Sequence, residues 1–123
     1  MKIVVDNKIP YIRETLSRIT EDVVYLPGNE ITAESVKDAD ALITRTRTKC
    51  NRQLLKGSKV KFIGTATIGF DHIDTEYCKD AGITWKNCPG CNAGAVEQYV
   101  HAVLSLLKKE KGMIPEKTCI GIV

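Results

Sequence analysis

Val60-Lys61-Phe62-Ile63-Gly64-Thr65-Ala66-Thr67-Ile68-Gly69-Phe70-Asp71-His72-Ile73-Asp74 is the passage from which the architecture can be read. Residues 60–64 have the length and β-branched content of a strand. A loop bounded by Gly64 and Gly69 follows, and residues 73–81 then carry a helical pattern that Gly82 closes. Ile83-Thr84-Trp85 begins another strand. Strands alternating with helices imply a parallel sheet, since parallel strands need such a crossover and not a hairpin turn.

The same alternation continues towards the N-terminus. Residues 2–5 read as a strand, Asp6-Asn7 as a turn and helix cap, and Pro10 as the first turn of a helix reaching about Ile19. Residues 23–26 form a second strand ended by Pro27-Gly28, and residues 32–36 a short helical turn. Residues 41–44 form a third strand, followed by a basic loop and by Asn51, which caps the turn carrying Leu54 and Leu55. Five strands alternating with helices predict an α/β fold, a flavodoxin-like parallel sheet with helices on both faces.

The last third has another character. Residues 94–109 form the longest helical pattern, with Val96, Val100, Val103, Leu104 and Leu107 on one stripe. Ala95, Tyr99, Ala102 and Leu106 widen the apolar arc to roughly 200° at 100° per residue. A helix lying on its own small sheet needs less, so the arc fits either a deeply buried helix or one shared with a second domain. Lys117-Thr118-Cys119-Ile120-Gly121-Ile122-Val123 reads as a strand that stops on an apolar residue, as an element interrupted midway would.

Composition narrows the function classes. Of 123 residues, 43% are hydrophobic and 27% charged, which suits a folded domain. A net charge of +3 with no block of like charges argues against nucleic acid, and 6% aromatic content offers little for base stacking. Asp6 arrives too early for a secretory leader, and no apolar run approaches the roughly 20 residues of a membrane span. The expectation is a cytoplasmic protein with no membrane partner, whose five cysteines (Cys50, Cys78, Cys88, Cys91, Cys119) stay reduced.

Three segments together resemble the D-2-hydroxyacid dehydrogenases: residues 62–74, residues 87–100 (Asn-Cys-Pro-Gly-Cys-Asn-Ala-Gly-Ala-Val-Glu-Gln-Tyr-Val), and the closing Thr118-Cys119-Ile120-Gly121-Ile122-Val123. Gly64-Thr65-Ala66-Thr67, Pro89-Gly90-Cys91-Asn92-Ala93, the opening residues 1–6 and Arg45-Thr46-Arg47-Thr48-Lys49 are similar to the branch of that family acting on a phosphorylated four-carbon hydroxy acid. Arg47 departs from that branch, which has an apolar residue there. The resemblance implies a substrate-binding domain over residues 1–93, a long crossing helix over 94–112, and over 113–123 the first strand of a truncated Rossmann domain for NAD. The family's glycine-rich dinucleotide loop and its catalytic arginine, glutamate and histidine would lie beyond this sequence. The resemblance therefore implies no catalytic or cofactor-binding residue within the chain, no activity for the chain alone, and a homodimeric parent enzyme.

What the chain offers such a reaction is orientation of the acid. The loop at residues 64–69 follows a strand at the sheet edge where ligands bind, and its glycines let backbone N–H groups face an anion. By resemblance Thr67 contacts the substrate, the Ile68-Gly69 backbone cradles its carboxylate, and Thr46 is a second contact. Arg45 and Lys49 offer charge-assisted bonds to a phosphate, although each charge taken alone reads as a solvated loop residue. The partner implied is a small phosphorylated hydroxy acid. His72 and His101 match no base of the family; His72 reads as a structural partner of neighbouring carboxylates or backbone.

Rival readings rest on less. Cys88-Pro89-Gly90-Cys91 has the spacing of a redox motif, but thioredoxin-like folds carry it after their first long strand and not after five. One such pair without a second is poor evidence for zinc. A free-standing binding module for a phosphorylated acid remains a third possibility, as does a dehydrogenase of the same family with another substrate.

Overall fold

The computed structural model describes residues 1–114, 117–119 and 121. The chain divides into two compact units, Met1–Pro89 and Gly90–Val123.

The first unit is built on five strands: β1 (Ile3–Asp6), β2 (Val23–Leu26), β3 (Ala41–Thr44), β4 (Phe62–Thr65) and β5 (Thr84–Lys86). They form one sheet in the order β2-β1-β3-β4-β5, every pairing parallel. That order has its topological switch between β1 and β3, as a flavodoxin-like sheet requires.

Side chains alternate between the faces. Val4, Leu42 and Ile63 enter a large core closed by α2 (Ala33–Val36), α3 (Arg52–Leu55) and α4 (Thr75–Asp80), with Val36, Leu54, Leu55 and Cys78 packed inward. Ile3, Val5 and Ala41 point the other way and meet only Leu16 as a buried residue of α1 (Ile12–Leu16). Helices cover both faces, unequally: Phe62, beside Ile43 on the α1 side, is 36% exposed.

The helix ends follow their caps. Asn51 accepts from Leu54 N at 3.1 Å, Asp74 from Tyr77 N at 2.9 Å, and Thr32 and Ser35 close a reciprocal capping box. α1 differs from the sequence reading, which runs a helix from Pro10 to Ile19 behind an Asp6-Asn7 cap. The Asp6 carboxylate instead accepts from Lys8 N at 2.9 Å, a local turn, and the helix starts only at Ile12 after Tyr11 at φ 58°. Thr15 and Ser17 hydroxyls then bond the carbonyls of Tyr11 and Glu14, competing with helix propagation.

The second unit holds α5 (Ala93–Lys111), ended by Gly112 at φ 63° with Lys108, Lys109 and Lys111 in its last turn. Val96, Tyr99, Val100, Leu106 and Leu107 are all exposed, and no described residue of α5 is buried. Of the strand expected over residues 117–123, Ile120, Ile122 and Val123 lie outside the described residues. Lys117 forms a short helical turn, its N–H bonded to Ile114 O at 3.0 Å, and Thr118, Cys119 and Gly121 have no strand pairing. A lone segment becomes a strand only when an edge is there to pair with it.

Candidate functional site

Because all five strands are parallel, the loops leaving β1, β3 and β4 emerge on one edge, the edge at which open α/β sheets hold ligands. The loop after β3 is pinned at one residue. Thr48 is buried and its hydroxyl donates to Gly28 O at 2.8 Å, while Arg45, Thr46, Arg47 and Lys49 stay exposed. The loop is stitched to the one after β4, since Cys50 N donates to His72 O at 2.8 Å and Asp74 N to Cys50 O at 2.9 Å.

Between the stitched loops lies a cavity of about 510 Å³, lined by Thr46 and Lys49 from one side and by Gly69, Asp71, His72 and Asp74 from the other. Thr46 also borders a neighbouring cavity of about 420 Å³ that holds Arg45, Lys8 and the buried Asp6. The structure thus brings Thr46, Lys49 and Gly69 together, sets Arg45 in the adjoining hollow, and places Thr67 and Ile68 outside both linings. Lys49 shares its cavity with two carboxylates, against which any anion has to compete.

The loop after β4 is held by its carbonyls. Cys88 N donates to Thr67 O at 3.0 Å, Asn87 Nδ2 to Ile68 O at 2.7 Å, Thr67 Oγ1 to Gly69 O at 2.9 Å and Ile73 N to Phe70 O at 2.8 Å. The Phe70 ring meets Trp85 of β5 with centroids 4.9 Å apart. By contrast, the N–H groups of Ile68, Gly69 and Phe70 have no protein acceptor among the described residues. With these four carbonyls occupied by donors, the N–H groups are what the loop has left to offer an acceptor. The cysteine pair of the redox reading enters here only through the Cys88 backbone.

Behind the loop the sequence reading missed Thr65 altogether, and it took Asn51 and Asp74 for helix caps without placing them at a cavity. Thr65, 1% exposed, stands between Thr67 Oγ1 at 2.7 Å and His72 Nε2 at 3.0 Å, so His72 is partnered by a hydroxyl and not by the neighbouring aspartates. Burial pushes the His72 pKa below its usual value, and Asp71 partly offsets this. Asn51 and Asp74 each cap a helix and also border the cavity. The period-two rule held the signal for Thr65: with Ile63 facing the core, residues 65 and 67 take the same side.

A dinucleotide does not fit these residues. The sequence has no G-x-G-x-x-G run, and the β1–α1 turn at the switch point has no glycine. That turn places the buried Asp6 carboxylate where a pyrophosphate would need donors.

Comparison with known proteins gives the family and the fold. The model of the D-isomer specific 2-hydroxyacid dehydrogenase catalytic domain matches residues 3–103. Over all 123 residues the chain is 61% identical to an erythronate-4-phosphate dehydrogenase of Bacteroides fragilis and 58% identical to that of Bacteroides thetaiotaomicron, covering 35% of each. It spans about a third of the length of these curated relatives. Among solved structures, 3-phosphoglycerate dehydrogenase of Entamoeba histolytica with bound NAD+ superposes with TM-score 0.69 at 33% identity, over 99% of this chain and 42% of that one. D-Lactate dehydrogenase of Aquifex aeolicus, complexed with NAD and lactic acid, gives 0.68 at 25% identity, over 87% of this chain and 34% of that one.

Proposed function

Because this chain belongs to the D-isomer specific 2-hydroxyacid dehydrogenase family, we propose that it supplies the substrate-side loops of an enzyme oxidising 4-phospho-D-erythronate at C2 to 3-hydroxy-2-oxo-4-phosphobutanoate. The observation that carries the reading is the loop after β4, its carbonyls occupied by donors and the N–H groups of Ile68 and Gly69 left free. Its free N–H groups suit a carboxylate, and Thr67 adds a hydroxyl donor. Thr46 and Lys49 face the acid from the loop after β3, and Arg45 next to them suits the phosphate. The erythronate-4-phosphate dehydrogenases, similar over the whole of this chain, support the choice of substrate.

NAD, named with the solved relatives, would accept the hydride. In this proposal the residues that bind it, and the base that takes the hydroxyl proton, lie outside the 123 residues; this chain binds and orients. α5, with its exposed apolar stripe, is the helix that runs into the cofactor-binding part. The step belongs to pyridoxal 5′-phosphate synthesis in a homodimeric enzyme. Five unpaired cysteines support a reducing compartment, the cytoplasm, and among the described residues no helix is long and apolar enough to cross a membrane.

The test is NADH formation by a longer protein containing this chain, with 4-phosphoerythronate offered beside erythronate, D-lactate and 3-phosphoglycerate. A preference for 4-phosphoerythronate is expected. Turnover of another acid alone would overturn the substrate, and turnover of none would overturn the enzymatic reading in favour of a binding module.

A further inference from the structure

Four groups at the wall of the cavity and behind it form a chain of hydrogen bonds whose direction can be worked out. His72 Nε2 lies 3.0 Å from Thr65 Oγ1, Thr65 Oγ1 lies 2.7 Å from Thr67 Oγ1, and Thr67 Oγ1 lies 2.9 Å from Gly69 O. A hydroxyl has one proton to give, and a carbonyl has none. Thr67 must therefore donate to Gly69 O. Its proton being spent, Thr65 donates to Thr67, and His72 Nε2 donates to Thr65. The chain of bonds thus requires, of the two neutral tautomers, the one protonated on Nε2; the charged imidazole, with a proton on each nitrogen, gives the same direction.

We infer that His72 is a positioning residue: acting through Thr65, it fixes the Thr67 hydroxyl as a donor available to an anionic oxygen. The kinetic part of this inference rests on the proposed role of Thr67 at the substrate. A carboxylate or phosphate oxygen only accepts, so it can be served when the Thr67 O–H swings from Gly69 O to the ligand, while Thr65 continues to donate from behind. Without the His72 donor, the Thr65 oxygen, buried to 1% exposure, has an empty acceptor site. The Thr67 proton is then the one available to fill it. The pair reverses, and Thr67 turns its lone pairs towards the anion. No pH switch is involved: burial and Asp71 act on the charge of His72, not on the direction of the relay, and Asp74 and Lys49 are the other charged groups at the cavity.

The chain has two histidines, His72 and His101, which makes the tautomer directly measurable. In two-bond 1H–15N spectra of the labelled chain at about pH 8, above the ordinary histidine pKa of about 6.5, His72 is expected to carry its proton on Nε2. That proton should be slow enough in exchange to be seen, and it should vanish in Thr65→Val. A proton on Nδ1 of His72, or an Nε2 proton untouched by Thr65→Val, would overturn the relay. In the full-length enzyme, His72→Leu should raise KM for the acid about ten-fold with little change in kcat, and His72→Gln, which keeps a donor near Nε2, should restore most of it. Equal losses in the two variants would overturn the inference, as would an unchanged KM in His72→Leu when Thr67→Ala raises it. If Thr67→Ala itself leaves KM unchanged, the role proposed for Thr67 at the substrate falls, and the spectra alone decide the relay.

Discussion

A Cβ placed on Gly28 would lie 2.6 Å from Asp6 Oδ2 and 3.2 Å from Thr48 Oγ1. Both neighbours are buried, and both are already bonded, Asp6 to Lys8 N and Thr48 to Gly28 O. Neither can retreat without giving up a partner. Gly28→Ala should therefore cost about 1–3 kcal/mol, read as a lower urea midpoint with an unchanged slope. The position matters beyond stability, because Gly28 lines the cavity shared by Arg45 and Thr46. Thr67 is the contrasting residue, half-buried, its hydroxyl bonded to Gly69 O in the loop and to the buried Thr65 behind it. Thr67→Ala removes one donor that should act alike on bound substrate and transition state, so KM should rise about ten-fold while kcat changes less. A large kcat loss at constant KM would contradict that role.

Among the elements, the caps are where sequence and structure meet most directly. Asn51 and Asp74 could be named in advance because each stands just before an apolar-patterned turn, and each accepts the backbone N–H three residues on. Asn51→Ala and Asp74→Ala should each cost about 1 kcal/mol in thermal or urea unfolding. Both should also loosen the cavity, which the two residues border. The strands of the sheet were equally legible, since β-branched runs between turn residues leave few alternatives. Less could be seen of α1, where Asp6 folds back on Lys8 and two hydroxyls bond backbone carbonyls. Those are local competitions of similar energy to the helix itself, and a hydrophobic pattern does not rank them. The Thr65–His72 contact was equally hidden, because it depends on a turn that returns residue 72 to the strand it left. The exposed stripe of α5 was legible as excess apolar surface, as a wide arc and not as an identified neighbour.

For the molecule as a whole, the cysteines divide by depth. Cys50 and Cys78 are fully buried, while Cys88, Cys91 and Cys119 are exposed. Burial, with Cys78 nearby, pushes the Cys50 thiol from 9.0 up to about 12. A thiol-specific reagent at neutral pH should therefore label three sites in the folded chain and five after denaturation. A slow first phase at Cys50 or Cys78 would report opening of the larger core. The same burial sets an alkaline limit. Between pH 9.0 and about 12 the folded Cys50 keeps a proton that the unfolded chain releases, so the folded state binds more protons and stability falls as pH rises through that window. Cys50→Ala should flatten the fall in a pH series of unfolding midpoints.

The order of the strands also bears on how the chain comes off the ribosome. β1 is made first, yet it lies inside the sheet, between β2 and β3. Among the described residues no two strands are joined by a hairpin, so each pairing waits for the crossover between its strands, and β1–β3 waits for two. The seam between β1 and β3 closes only after residue 44 has emerged, and β4 gains its outer neighbour only when residues 84–86 follow. Until then a nascent chain carries an open edge of Ile, Val and Leu into the crowded exit region. Synonymous codon changes that slow synthesis between β3 and β5 should thus lower soluble yield more than the same changes placed after β5, although the finished protein is identical.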